Sequence, residues 1–469
     1  MNDEIENRYI SVIGSRYRGY ELEEIWSTNN KIKEMRLLWI NLAKYQKELG
    51  IEEITNIGIS EMENNYLKID INKINDYEKT LKHDIMAHIY AFGDLCPNAK
   101  KFIHYGATSN FINDNVDIIL IKRSFEILMK KTENLISLLN ELILEYKSHP
   151  TIAYTHLQKG QLTTIGKRFC MWNSDIIDEY KKWKREYEDL KMRGMKGTVG
   201  SEDTLLKIFE GDHNRCKKLN ELLKNEYGFK ETLIICGQTY SRKIDVNIIH
   251  LLSGLSQTIY KIMNDIRLLQ SKYELNEKFG THQIGSSAMP YKMNPINCER
   301  ICSLCRYIFN QESSFVQTYT QQWLERSLDD SAIKRILYPE CFILMENIIE
   351  STIKVFKNLQ INEEIINKSV DEQMPYIISE EIIIKGVKMG YDRQELHEKI
   401  RKILIEYTNN LMLGKEKIEL NEIEIKRLFS KDEDLKNIFD TNYISINPRD
   451  YIGRCVEQIN EYISSISYL

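Results

Sequence analysis

The sequence predicts an all-α protein built around very long helices. Two observations carry this. The chain has only 7 prolines and 21 glycines in 469 residues, and these are the residues that break helices. Between Pro150 and Pro290 there is no proline, and that interval holds long stretches whose apolar residues recur at steps of three and four, the spacing of one helix face.

The elements follow in order. Residues 31–49 form an amphipathic helix through Ile32, Met35, Leu38, Trp39, Leu42, Tyr45 and Leu49, closed by Gly50. Residues 114–146 carry Val116, Ile119, Leu120, Ile127, Leu128, Leu135, Leu138, Leu139 and Leu142. Residues 161–192 read likewise. Residues 244–271 carry Ile248, Ile249, Leu252, Leu255, Ile259, Ile262, Met263, Ile266 and Leu269. Each long stretch has room for roughly 25–35 helical residues, about 40–50 Å at the helical rise. Helices of that length bury their apolar stripes against one another, so the middle of the chain is expected to be an elongated bundle. From about residue 363 the patterns shorten, separated by Met374-Pro375, Gly390 and Asn447-Pro448. Three regions result: 1–108, 109–361 and 362–469. A few short β elements are expected in the first region or near residues 232–236.

Composition excludes several classes. Net charge is -5, so no overall basic field attracts nucleic acid or acidic membrane. The opening MNDEIENRYI has no apolar leader core, and no apolar run approaches the ~18 residues of a membrane span. The nine cysteines are scattered, and the single C-x-x-C (Cys302, Cys305) has no second pair at zinc-ribbon spacing. They read as reduced thiols of a cytosolic protein. His83 and His88 are five residues apart, off one helical face, and do not form a metal pair. GQLTTIGKR (160–168) is not a phosphate loop, because five residues separate its glycines and Arg168 replaces the Ser/Thr.

Three polar islands stand out: HYGATSN (104–110), YTHLQKGQ (154–161) and GSSAMPYKMNP (285–295). Each falls at the end of a long helical stretch, where free N–H groups and loops can build a site. Each also has a plain structural reading. Thr108 and Ser109 can be N-caps, His156 a partly buried structural histidine, and the serines and prolines of the third island a stiffened turn. Together the islands offer a titratable histidine, a loop serine, and a lysine with an asparagine suited to a carboxylate. That set fits proton abstraction beside a carboxylate, with departure of a protonated leaving group.

The third island resembles the G-S-S-x-M-P-x-K-x-N-P signature of the fumarase/aspartase superfamily at every fixed position. Further segments narrow the resemblance to its adenylosuccinate lyase branch, closest to the animal type. They are SRY (15–17), KHDIMAH (82–88), IHYGATS (103–109), YTHLQKGQLTTIGKR (154–168), GQTYSRK (237–243), ERSLDDSAIKR (325–335) and HEKIR (397–401). The resemblance implies an all-α, three-domain fold whose central long-helix bundle forms the core of a homotetramer. Each active site is then shared between three subunits. It implies β-elimination of fumarate from adenylosuccinate, giving AMP, and from SAICAR, giving AICAR. It implies no metal or organic cofactor, and neither nucleic acid nor membrane as partner.

Residue roles carry over by matching position. Ser286 corresponds to the general base and His156 to the general acid. Lys292 and Asn294 match carboxylate binders, with Gly285 expected to let their loop flex and Ser287 and Met289 beside them among the substrate contacts. Glu299 matches an acid that orients His156 or the loop. Thr108, Ser109 and Gln238 match positions that hold the succinyl end. Arg16, Tyr17, Arg326, Ser331 and Arg335 match the phosphate set, with Arg300 close by and Lys82, His83 and Asp84 at the nucleotide. Guanidinium suits bidentate phosphate binding. Lys82 and Met293 stand where relatives carry arginine, and NCER (297–300) replaces a more basic stretch. Two rivals stay open: a sister lyase of the argininosuccinate type, whose substrate has no phosphate, and a non-catalytic helical scaffold of the same fold.

Overall fold

The computed structural model describes residues 11–415 and 422–466. The elements used below are helices α1 (Thr28–Glu48), α2 (Ile71–Leu81), α3 (Asp84–Leu95) and α4 (Ser109–Glu145), then strands β1 (Pro150–Thr155) and β2 (Gln158–Thr164). They continue with α5 (Ile165–Asp189), α6 (Lys243–Ser271), β3 (Leu275–Glu277), α7 (Ile296–Asn310) and α8 (Asp330–Lys357). Last come β4 (Leu359–Ile361), α9 (Glu363–Ile377) and α10 (Arg393–Met412). The expected helical chain is observed.

The periodic stripes are the buried ones. All nine apolar residues read on the 244–271 stretch are buried in α6. On α4, Val116, Ile119, Leu120, Leu128, Leu135 and Leu139 are buried, while Ile127, Leu138 and Leu142 are half-buried. At about 1.5–3 kcal/mol per fully buried large apolar side chain, these stripes, more than intrinsic propensity, hold such long helices in place. The α1 helix opens at Ser27, whose hydroxyl accepts from the Asn30 amide (3.2 Å), and Gly50 follows its end at φ 95°.

Two compact units result. The first comprises Met1–Asn134, Ile177–Lys261 and Arg300–Thr352. Within it Trp26 stacks on Tyr338 and Phe342, and Phe125 meets Trp183 and Phe342 edge-on. The second comprises Leu135–Ile176, Ile262–Glu299 and Ile353–Leu469. Within it Phe169, Trp172 and Phe356 cluster, and the Trp172 indole donates to Asp265 (2.8 Å).

Three expectations are corrected. Among the described residues, the strands do not lie in the first region. They form the antiparallel pairs β1–β2 and β3–β4, and near residue 232 there is only an isolated bridge from Met192 to Thr232. The stretch read as helix from 161 begins as strand. Its Thr163 and Thr164 are β-branched and favour extended backbone, and α5 starts where the Thr164 hydroxyl accepts from the Lys167 amide (3.1 Å). Met374-Pro375 lies inside the last turn of α9, and the break before the next helix (Ser379–Lys388) comes three residues later, at Ile378.

Candidate active site

In the second unit, the GSSAMPYKMNP segment belongs to the connection between β3 and α7. Both ends of this connection are pinned. The Glu277 carboxylate accepts from the backbone amides of Asn297 (3.1 Å) and Cys298 (2.6 Å) and from the Asn297 side chain (2.8 Å). These amides open α7 and have no partner inside the helix. Gln270 accepts from the Glu277 amide (3.2 Å) and donates to the Met293 carbonyl (3.0 Å). Inside the loop, Ser286 Oγ accepts from the amides of Ala288 (3.3 Å) and Met289 (3.0 Å), and the Asn294 side chain donates to the Gly285 carbonyl (2.9 Å). The Gly285 position has a steric basis that flexing does not capture. A Cβ there would overlap the Lys292 carbonyl oxygen and lie 2.6 Å from the Phe279 ring.

Lys292, Asn294 and Glu299 line one groove of about 680 Å³ together with Arg267 and Asn264. Lys292 is exposed, and its ammonium has no ion-pair partner among the described residues. Glu299 faces Arg267 at 3.8 Å. Ser287 and Met289 are exposed on the same loop.

His156 occupies the tip of the β1–β2 hairpin. Thr155 pairs with Gln158, so His156 and Leu157 are the whole turn, at φ 55° and 57°. A two-residue turn with both φ positive twists with its strands and usually takes Asn-Gly. Histidine tolerates this conformation better than most residues and leucine poorly, at a cost of about 1–2 kcal/mol. His156 is exposed, and among the described residues its ring has no hydrogen-bond partner. Behind it, the Tyr154 hydroxyl donates to Glu274, and Arg168 donates to the Ile152 carbonyl (2.6 Å) and lies 3.9 Å from Glu274. Burial first, then the Glu274 carboxylate, raises the pKa of the Tyr154 phenol, so it stays a donor.

The phosphate set lies in the first unit. Arg326, Ser331 and Arg335 line one cleft with Arg242, Asp330 and Lys334. Arg335 pairs with Asp84. Asp330 accepts from Arg242 Nε (2.6 Å) and lies 3.6 Å from Arg326. Arg242 also reaches Asp114 (3.0 Å), and Lys334 lies 3.1 Å from Asp117. Burial would raise the Asp114 carboxyl, but Arg242, Lys334 and Arg193 outweigh it and hold it below the usual range.

The Gln238 carbonyl accepts from Arg193 twice (3.0 and 2.7 Å), and its side chain accepts from Asn110 (3.4 Å). Gly237 lets this segment touch Glu325, since a Cβ would meet the Glu325 carbonyl at 2.6 Å. Thr108 is buried and Ser109 half-buried, and among the described residues neither hydroxyl caps α4. The capping explanation for them therefore falls away. His83 is the N-cap of α3 through the Met86 amide (3.3 Å), and Lys82 ends α2 at φ 52°. Arg16 and Tyr17 both donate their amides to the Val12 carbonyl (2.9 Å each), and Arg300 is exposed on α7.

The groups read for proton transfer and carboxylate binding thus lie in the second unit, apart from Thr108, Ser109 and Gln238, and the phosphate set lies in the first. Sequence reasoning missed the supporting layer of Asp114, Arg193, Arg242, Asp330 and Lys334. Three of these stand inside motifs already quoted: Arg242 in GQTYSRK, and Asp330 and Lys334 in ERSLDDSAIKR. Among the described residues, no group of three or more His, Cys, Asp or Glu is arranged to hold a metal ion, no cysteine is paired, and no helix is long and apolar enough to cross a membrane.

A family model described as "Lyase" matches residues 19–310. The chain is 36% identical over 459 residues to an adenylosuccinate lyase of Saccharomyces cerevisiae, covering 97% of this chain and 94% of that one. It is 38% identical over 473 residues to an adenylosuccinate lyase of Schistosoma mansoni, covering 99% and 95%. The fold is similar to that of a fumarate lyase from Mesorhizobium sp. BNC1, with TM-score 0.78, 17% identity, and 96% and 98% of the two chains covered. With most of its length matched at this identity, the chain is a lyase and belongs to the adenylosuccinate lyase family.

Proposed function

We propose that the chain releases fumarate from adenylosuccinate, leaving AMP, and from SAICAR, leaving AICAR, by general acid–base catalysis. The observation that carries this is the cleft lined by Arg326, Ser331 and Arg335. A 5′-phosphate gives those side chains a ligand, which argininosuccinate, malate and aspartate do not have.

In this reading Ser286 removes the proton from the succinyl carbon beside the carboxylate. The electron pair is delocalised into that carboxylate, which Lys292 and Asn294 hold, and donors aimed at the developing charge lower the barrier. The pair then expels the purine-linked nitrogen, which takes its proton from His156. Each positioned proton transfer typically contributes about 10²–10⁴ in rate. Serine is a weak base at neutral pH. The Ala288 and Met289 amides that donate to its Oγ favour the alkoxide over the hydroxyl, and the Lys292 charge on the same loop works in the same direction. Thr108, Ser109 and Gln238 hold the succinyl end. Glu299 orients the loop or His156. Arg16, Tyr17, Lys82, His83, Asp84 and Arg300 complete the nucleotide side.

The proposal includes a cytosolic homotetramer with sites shared between three subunits, and the domains 1–108, 109–361 and 362–469. Their boundaries fall where α4 begins and where β4 ends. The exposed His156, without a partner among the described residues of its own chain, supports sharing. The test is purified protein with adenylosuccinate, following AMP and fumarate. Turnover is expected, with none on argininosuccinate. No turnover, or equal turnover of argininosuccinate, overturns the reading. His156→Ala and Ser286→Ala are each expected to be inactive, and mixing them is expected to restore part of the activity. No rescue overturns the shared site.

A further inference from the structure

We propose that the β3 segment is a positioning strut for both proton-transfer elements, with Glu274 fixing the hairpin that carries His156 and Glu277 fixing the loop that carries Ser286 and Lys292. This rests on the reading of His156 and Ser286 as acid and base.

Glu274 and Glu277 are 2% and 4% exposed. Carboxylates are rarely buried without partners, because taking a charge out of water is expensive. Here each has a different set. Glu274 accepts from the Tyr154 hydroxyl and lies 3.9 Å from Arg168. Glu277 accepts from three N–H groups at the start of α7. Glu274 immediately precedes β3 and Glu277 is its last residue, so one short segment serves both elements. Tyr154 lies two residues before His156. Its tether acts just beyond the register irregularity between Ile152 and Tyr154, where the Tyr154–Lys159 and Thr155–Gln158 pairs close the tip. The strut is itself held from outside. β3 pairs with β4, and the Asn362 amide donates to the Glu274 carbonyl (3.0 Å). None of these groups needs to touch substrate. Their work is to keep the acid and the base where they act, and small displacements of a reacting group are costly to rate.

The test uses the full-length enzyme with adenylosuccinate and the variants Tyr154→Phe, Glu274→Gln, their double, and Glu277→Gln. Tyr154→Phe and Glu274→Gln are each expected to lower kcat about tenfold with KM changed less than twofold. The double is expected to be no slower than the slower single, because one contact is removed twice. With nitrogen protonation slowed, the solvent deuterium isotope effect on kcat should grow. Glu277→Gln should instead enlarge the isotope effect of substrate deuterated at the carbon that loses its proton. Tyr154→Phe removes one hydroxyl and keeps the ring, so it reports even if a glutamate variant does not fold. Unchanged kcat and isotope effects in folded variants overturn the strut, as do kcat losses that multiply in the double. A wild-type enzyme without turnover overturns the functional reading instead.

Discussion

Arg335 and Asp84 form an ion pair although 251 positions separate them in the chain. Arg335 is 54% exposed and Asp84 30%, and exposed pairs of this kind add only about 0–1 kcal/mol to stability. The pair is better explained by what it aims. Asp84 holds the guanidinium in the cleft that Arg326 and Ser331 share. Arg335→Lys keeps the charge and loses the planar fork. A charged hydrogen bond contributes about 1.5–3 kcal/mol, so KM should rise roughly 10- to 100-fold, with the urea midpoint unchanged. Steady-state kinetics on adenylosuccinate check this, and an unchanged KM removes Arg335 from the phosphate set.

The layer beneath that cleft should behave in the opposite way. Arg242 is buried between Asp114 and Asp330. Removing one partner of a buried pair strands the other and costs about 3–5 kcal/mol. Arg242→Met should lower the unfolding free energy in urea by that amount, and adding Asp330→Leu should recover part of it. Parent-like stability in the single variant refutes this.

Acid sensitivity follows from two histidines. Burial first lowers the pKa of both His88 and His104 to about 4. Between pH 6.5 and 4 the unfolded chain binds protons there that the folded chain does not. Stability is therefore full above about pH 6.5, is lost as pH falls toward 4, and levels off below. Each histidine accounts for at most about 3 kcal/mol over that window. His104→Asn keeps an acceptor for the Trp39 indole, which donates to His104 at 2.8 Å, and it suits the backbone at φ 70°. Urea melts across this range should show a shallower slope for the variant, and an identical slope refutes the assignment.

The hairpin tip offers a separation of stability from activity. Leu157 sits at φ 57° and is 58% exposed, so it is strained and buries little. Leu157→Gly should raise stability by about 1 kcal/mol, while kcat falls because the turn holding His156 loosens. Equal or lower stability with unchanged kcat contradicts this.

Much of the candidate site is legible in the sequence. The signature loop, His156 and the arginines of ERSLDDSAIKR are local strings, and the cleft does gather Arg326, Ser331 and Arg335. Their supports are not. Nothing local marks Glu277 as the partner of the first α7 amides, or Arg193 as the clamp on the Gln238 carbonyl. Such groups look like solvated surface charges until burial shows otherwise. Glycine permits both motion and close contact, and at Gly285 the fold adds the close contact, with the Lys292 carbonyl oxygen where a Cβ would lie. The periodicity from Gln161 predicts helix because Leu162 and Ile165 keep a step of three that a short strand can also bear.

By itself the sequence determined the helical class, the buried faces of the long helices, and the motifs of the candidate site, because periodicity and short motifs are properties of neighbours in the chain. Only the tertiary structure decided that Asp84 meets Arg335 and that Tyr154 meets Glu274. Those pairings depend on which distant segments the fold brings together, and at the buried Glu274 an unpaired polar group is costly and a paired one is held in place.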